Sequence, residues 1–151
     1  MSDADVDAVC AVEVSAYGHP WSRGNFCDSI RQGHVCEVLM RQVGEESHLA
    51  GYWVALQILD EMHLLNLTVA PAYQGQGMGS VLLERFETQA RQRGIRTLWL
   101  EVRAGNDRAQ RLYGRRGFVT AGTRKGYYPL AGARREDALV MCRFLRDTGA
   151  A

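Results

Sequence analysis

Apolar residues in the first part of the chain recur at helical spacing. The stretch from Val6 to Val14 places its apolar residues on one side, which predicts a helix that continues to about Tyr17. The segment His19-Pro20-Trp21 interrupts this pattern. Ser22 then caps a second predicted helix, which stops near Gly33.

Six further segments carry the short apolar runs that are typical of strands. They are residues 35–43, 50–59, 63–69, 97–102, 118–123 and 137–144. The third run is nearly all apolar, which predicts a strand that is buried on both faces. Helices over 77–93 and 107–116 separate the later strands. This order predicts an α/β protein with a mixed sheet flanked by helices, not a strictly alternating doubly wound fold.

The longer of these two helices has one apolar side. Met78, Val81, Leu82, Phe86 and Ala90 fall on that side at helical spacing, and charged residues occupy the other. We therefore expect these five side chains to be buried.

The composition is that of an ordinary globular protein. The chain has 151 residues, of which 46% are hydrophobic and 23% are charged, and its net charge is +1. These values predict a single domain over residues 1–151 and favour neither a nucleic-acid partner nor a membrane partner. No apolar run reaches the length of a membrane span and no signal-peptide pattern opens the sequence. We expect a cytoplasmic protein, and a monomer.

The cysteines and histidines do not have the spacing of metal ligands. No C-x-x-C pair is present, and the histidines are scattered along the chain. We therefore expect no metal and assign these residues no chemistry. They are Cys10, Cys27, Cys36, Cys142, His19, His34, His48 and His63.

Charge is distributed unevenly along the chain. Residues 1–63 contain ten acidic and three basic residues, and the remainder contains seven acidic and fifteen basic residues. An anionic ligand would therefore fit the second part better. The alternative is a set of solvated arginines on helix surfaces.

A glycine-rich turn lies between the third strand and the long helix. In Gln74-Gly75-Gln76-Gly77-Met78-Gly79, glycines allow positive φ and close approach of a ligand to the backbone. The first N–H groups of a helix have no partner within the helix, so this turn can hold a phosphate without a basic side chain. A plain turn is the alternative. A Walker loop would need Gly-Lys-Ser/Thr, and a dinucleotide fingerprint has a different glycine spacing.

This turn resembles the Q/R-x-x-G-x-G/A signature of the GNAT superfamily of N-acetyltransferases. The resemblance runs from about Val6 to Phe144, and its other segments are similar to the ribosomal-protein-alanine N-acetyltransferases. GNAT domains usually begin with a strand before the first helix, and this chain has almost no residues for one. We therefore expect either that this edge strand is missing or truncated, or that the true start of the protein lies upstream. The supporting segments are Pro20-Trp21-Ser22, residues 98–103, Asn106, Leu112-Tyr113, Gly117-Phe118, Tyr127-Tyr128-Pro129 and residues 135–138.

The resemblance implies acetyl-CoA as the acetyl donor and assigns residues to its binding. Gly75 and Ser80 stand where relatives often carry arginine, so backbone N–H groups would contribute more of the phosphate binding. Asn106 could contact the pantetheine arm, cap a helix, or do both. The implied donor-binding residues are Leu67, Thr68, Val69, Gln74, Gly75, Gln76, Gly77, Met78, Gly79, Ser80, Asn106 and Tyr113.

Acetyl transfer needs a neutral amine and a proton for the leaving thiolate. An α-amine has a pKa of about 7.7–8.0 and a lysine of about 10.4, so one carboxylate base suits an α-amine better. Glu101 lies in an apolar strand, where burial would raise its pKa, and the resemblance makes it the base. Alternatively, it points outward or pairs with an arginine. The resemblance makes Tyr113 the acid; the alternative is a core aromatic residue beside Leu112 and Phe118.

The expected reaction is acetylation of the N-terminal alanine of a small-subunit ribosomal protein. Trp21, Tyr127 and Tyr128 are the candidate peptide-binding residues, although Tyr-Tyr-Pro also suits a plain strand end. Other protein N-termini or small amines are the alternative substrates. A non-catalytic acyl-CoA-binding domain and a nucleotide-binding protein are the alternatives outside this enzyme class.

Overall fold

A computed structural model describes residues 1–146 of the chain. The helices are α1 (Val6–Ala16), α2 (Arg23–Arg31), α3 (Met78–Gln92) and α4 (Asp107–Arg115). The strands are β1 (Val35–Val43), β2 (Glu46–Ile58), β3 (Glu61–Val69), β4 (Thr97–Arg103), β5 (Val119–Pro129) and β6 (Arg135–Phe144). Short 3-10 turns cover Asp3–Asp5 and Pro71–Tyr73.

The strands form a mixed six-stranded sheet in the order β1-β2-β3-β4-β6-β5. Strand β3 pairs with β4 in parallel, and β6 pairs antiparallel with both β4 and β5. This sheet and its helices confirm the predicted fold class. Within residues 1–146 no strand precedes α1.

Three strands differ from their predicted form. Strand β2 begins at Glu46 because Gly44, at φ 62°, allows a tight turn that pairs Val43 with Glu46. Strand β5 continues to Pro129 because its ladder with β6 resumes after a register shift. The prediction that β3 is buried on both faces is wrong: buried and less buried residues alternate along it, and Leu65 is 41% exposed.

The described chain forms two compact units that share β3. The first unit contains residues 1–57 and 65–88, and the second contains 58–64 together with 89 onward. In the first unit, α1 and α2 pack onto β2 through a core cluster. That cluster is Val6, Val9, Phe26, Tyr52 and Val54, and the rings of Phe26 and Tyr52 meet edge to face.

The start of α3 belongs to the first unit and packs through Leu82, Leu83 and Phe86. All three side chains are buried, and Phe86 meets the ring of Trp53 edge to face. Val81, predicted on the buried side, is 37% exposed. The buried side of the helix is therefore rotated away from Val81 and toward Leu83, and it also includes Glu87, which is 5% exposed.

In the second unit, β4 alternates between two environments. Leu98, Leu100 and Val102 are buried, whereas Trp99, Glu101 and Arg103 are half-buried on the opposite face. The ladders place Glu101 opposite Val140 of β6. Because paired residues share a face, the functional candidates of β4 and β5 can meet on this half-buried face.

Candidate active site

The glycine turn is exposed and its backbone is left-handed at two points. Gly75 and Gly77 have φ values of 76° and 79°, and a Cβ at either position would meet nothing within 4 Å. Helix α3 begins at Met78, and its first backbone bond runs from the N–H of Val81 to the carbonyl of Gly77, 3.3 Å. Among the described residues, the N–H groups from Gly75 to Ser80 have no backbone acceptor, so they can receive an anion.

Side chains hold the turn in place from both sides. The amide of Gln74 donates to the carbonyl of Val69 at 3.2 Å, and Arg41 donates to the side chain of Gln76 at 3.0 Å. The guanidinium of Arg41 also lies 5.6 Å from the ring centre of Tyr73. The turn therefore has a fixed shape without using its own N–H groups.

The end of β3 lies in the same unit as the turn. The parallel ladder pairs Glu61 to Leu64 with β4, and the described residues after Leu64 lie outside that ladder. The carbonyl of Leu67 accepts a hydrogen bond from the phenol of Tyr17 at 3.2 Å, while Thr68 is buried. The role of Leu67, Thr68 and Val69 in donor binding stays a prediction.

Glu101 is held by two neighbours on the half-buried face of β4. The Nε of Arg124, on β5, lies 2.7 Å from Oε1 of Glu101, and the exposed fractions of the two side chains are 58% and 25%. The phenol of Tyr127 lies near the same carboxylate, and after burial this interaction is one cause of the raised pKa of Tyr127. The alternative that Glu101 pairs with an arginine is therefore observed, and its role as a base stays a prediction.

The two candidate peptide-binding tyrosines pack against each other and against arginines. The ring centres of Tyr127 and Tyr128 are 5.0 Å apart at 80°, and the guanidinium of Arg103 lies 4.4 Å from the centre of the Tyr128 ring. Burial and then the hydrogen bond to Glu101 raise the pKa of Tyr127. Burial, followed by the charge of Glu101, raises the pKa of Tyr128 to about 12. Both phenols therefore stay protonated at neutral pH.

The structure places Tyr113 and Asn106 at opposite ends of α4. Tyr113 is 8% exposed, and its ring meets that of Phe118 edge to face at 5.9 Å, which is the packing alternative for this residue. The side chain of Asn106 accepts the N–H of Ala109 at 3.1 Å and so caps the helix. The acid and donor-binding roles predicted for these residues stay predictions.

The third peptide-binding candidate, Trp21, belongs to the first unit. It lines an open cavity of about 410 Å³ on the face of α2. Its backbone N–H donates to the carboxylate of Glu13 at 3.1 Å, and its ring lies 5.2 Å from that of Phe26. The other lining residues are Asn25, Asp28, Ser29 and Gln32.

Sequence analysis missed several residues that the structure connects to the candidates. Nothing in the sequence distinguishes Arg124 from the other arginines. It lies on the same sheet face as Glu101 only because β5 pairs with β6. Glu13 is 2% exposed and accepts hydrogen bonds from Tyr52 and Asn66. A glutamate among the valines of α1 was the available signal, because charged residues are rarely buried without partners.

The described residues contain no group of three or more His, Cys, Asp or Glu side chains that could hold a metal ion. The four cysteines are free. No helix in this part of the chain has the length and apolar character needed to cross a bilayer.

Comparison with known proteins gives consistent matches along nearly the whole chain. The sequence model of the acetyltransferase (GNAT) family matches residues 6–118. The ribosomal protein bS18-alanine N-acetyltransferase of Haemophilus ducreyi is 37% identical over 143 residues, covering 95% of this chain and 96% of the relative. The enzyme of the same name from Escherichia coli K12 is 38% identical over 141 residues, covering 93% and 92%. The crystal structure of the E. coli ribosomal-protein-S18-alanine N-acetyltransferase matches with a TM-score of 0.88 at 36% identity, covering 99% of this chain and 94% of that chain.

Proposed function

Because this chain belongs to the acetyltransferase (GNAT) family, we propose that it acetylates the N-terminal alanine of small-subunit ribosomal protein S18, with acetyl-CoA as the acetyl donor. The observation that carries this proposal is the similarity to enzymes named for that reaction, at 37–38% identity over more than nine-tenths of each chain. A ribosomal-protein substrate agrees with the expected cytoplasmic location.

The glycine turn supports the donor-binding part of the proposal. Its exposed N–H groups from Gly75 to Ser80 precede a helix of 15 residues, whose dipole favours an anion at this end. In this proposal they bind the diphosphate of acetyl-CoA, and the side chain at Ser80 contributes little charge. The turn and its flanks fit this group because no side chain fills the space above Gly75 and Gly77.

Glu101 is the proposed general base, acting on the α-ammonium directly or through a water. Arg124 and Tyr127 hold its carboxylate in one orientation, and a proton acceptor that is already oriented needs little rearrangement during reaction. A free α-amine suits this base, because deprotonating a lysine at the same pH costs roughly 3–4 kcal/mol more. The proposed base is therefore better matched to protein N-termini than to lysine side chains.

Tyr113 is the proposed general acid, which gives its phenolic proton to the departing thiolate of coenzyme A. Its ring is fixed by Phe118, so the hydroxyl direction is defined by packing. Tyr127 and Tyr128 are the proposed peptide contacts of the second unit, and Trp21 is the proposed contact of the first.

Mass spectrometry of a peptide with the S18 N-terminus, incubated with the protein and acetyl-CoA, tests the proposal. We expect a single acetyl group on the α-amine and little product with Glu101→Gln. Acetylation of small amines without acetylation of this peptide would replace the substrate assignment. Stabilisation by acetyl-CoA with no product from any amine would identify a non-catalytic binding domain instead.

A further inference from the structure

A buried polar network in the first unit ends at Tyr17, a partly exposed residue. Glu13 is 2% exposed, and its carboxylate accepts the side-chain N–H groups of Asn66 at 3.2 Å. The hydroxyl of Thr68 donates to the carbonyl oxygen of Asn66 at 2.7 Å. The phenol oxygen of Tyr17, a residue that is 42% exposed as a whole, lies 2.9 Å from the hydroxyl of Thr68.

The chemistry of Glu13 fixes the orientation of Asn66. The backbone N–H of Trp21 and the side-chain amide of Asn66 can only donate to the carboxylate, and Tyr52 donates to it as well. A flipped Asn66 would turn its carbonyl oxygen toward the carboxylate oxygens and repel them. The NH₂ group of Asn66 therefore points to Glu13, and its carbonyl oxygen points to Thr68.

The orientation of Asn66 in turn fixes the single hydroxyl proton of Thr68. Three oxygens surround that hydroxyl: the carbonyl oxygen of Asn66 and the phenols of Tyr17 and Tyr52. Both phenols bring their own protons, whereas the carbonyl oxygen has none and can only accept. Thr68 therefore donates to Asn66, and its oxygen accepts from a phenol.

Tyr17 is thus a donor toward the protein. Its two hydrogen-bond neighbours among the described side and main chains are the hydroxyl of Thr68 and the carbonyl of Leu67, and both act as acceptors that share its one O–H proton. Burial raises the pKa of the Tyr17 phenol, so the proton stays in place at neutral pH. The lone pairs of the phenol oxygen remain for a ligand that brings an N–H group.

We propose that Tyr17 accepts a hydrogen bond from an N–H group at the N-terminus of the peptide substrate, and that Glu13 is the positioning residue that sets this direction. The assignment rests on the proposed function. The same carboxylate of Glu13 also fixes the backbone of Trp21, the peptide-binding candidate of this unit.

Steady-state kinetics of Tyr17→Phe test the first part of the proposal. The variant keeps the ring and removes the oxygen, so the KM for an alanine-starting S18 peptide should rise about two- to tenfold, the value of one hydrogen bond. The Kd for acetyl-CoA should not change. An unchanged peptide KM in a variant that still acetylates overturns the role of Tyr17 and leaves the proposed function intact. No acetylation by the unmodified enzyme overturns both.

Glu13→Gln tests the positioning role. A glutamine can donate to Asn66, which lets Asn66 flip. The Thr68 proton then turns toward Tyr17 and occupies a lone pair of the phenol oxygen that is available to the ligand in the wild type. The side-chain oxygen of glutamine can still accept the backbone N–H of Trp21, so that contact is kept. Peptide KM should therefore rise in Glu13→Gln through Tyr17 alone, and the double variant with Tyr17→Phe should be no worse than Tyr17→Phe alone. Independent, multiplying effects would overturn the coupling.

Tyr52→Phe is the matched control for a merely structural effect. It removes another hydrogen bond to the same buried carboxylate and one oxygen beside Thr68, but it keeps the successive bonds from Glu13 to Asn66, from Asn66 to Thr68 and from Thr68 to Tyr17. Its melting temperature should fall while the peptide KM stays at the wild-type value. A peptide KM that rises as much in Tyr52→Phe as in Glu13→Gln overturns the assignment, because it would follow stability rather than orientation.

Discussion

Gly77→Ala separates the conformational role of the glycine turn from its role in binding. Gly77 has φ 79° and open space where a Cβ would stand, so alanine causes no clash. The cost is conformational and amounts to about 1–2 kcal/mol for a residue with a Cβ in the left-handed region. For a protein of this size, that lowers the melting temperature by roughly 2–8 °C.

Gly33→Ala is a closely matched control. Gly33 has φ 77°, a Cβ there would also meet nothing within 4 Å, and it follows α2 in the same unit. Both variants should lose similar stability, measured by urea or thermal unfolding. Only Gly77→Ala should weaken acetyl-CoA binding in titration calorimetry, because reorienting one N–H that bonds a phosphate costs about 1.5–3 kcal/mol, or roughly 10- to 150-fold in Kd.

If both variants bind acetyl-CoA with the wild-type affinity, the prediction is wrong. The strain at Gly77 would then be relieved without moving any group that binds the donor, and the turn would be a plain turn. Equal losses of affinity from the wild-type value would also refute it, because the effect would then follow global stability.

Three further predictions concern packing, chemistry and pH. Gly51→Ala should destabilise the protein by about 2 kcal/mol or more in urea unfolding, because its Cβ would lie 2.6 Å from the carbonyl oxygen of Thr68. Gly122→Ala is the control, since a Cβ there would meet nothing within 4 Å and should have little steric cost. Tyr113→Phe should retain the fold and lower kcat about 100-fold or more if the phenol is the acid; an unchanged kcat removes that role. Because the pKa of Tyr128 is raised to about 12, the native state holds this proton more tightly than the unfolded state, so stability should fall as pH rises from 10 to 12, and less steeply in Tyr128→Phe.

The parts of the fold that depend on local chemistry were predictable. The glycine turn, the caps and the buried alternation of β4 each follow from residues within one element. The second half of β5 was not predictable, because its exposed residues show no apolar alternation and its pairing with β6 continues beyond a register shift. The extent of such a strand is determined by its pairing with a neighbouring strand and not by the β-propensity of its residues.

The contacts of the candidate site depend on long-range register. Arg124 reaches Glu101 only because β6 lies between β4 and β5 and aligns both. Glu13 meets Tyr52 and Asn66 across 39 and 53 residues of sequence, so no local pattern could reveal their hydrogen bonds. A family resemblance can identify a candidate residue such as Glu101, but it does not predict which residues contact and orient its side chain.

The irregular edge strand β5 also bears on how the protein behaves at high concentration. An edge strand with a regular, unpaired backbone invites another chain to extend the sheet. In β5, the register shifts between Thr120 and Gly122 and again between Arg124 and Tyr128, and the charged side chains of Arg124 and Lys125 are exposed. A second molecule would meet a kinked, positively charged rim there, so the same strand that supplies Arg124 to Glu101 also discourages self-association into fibrils.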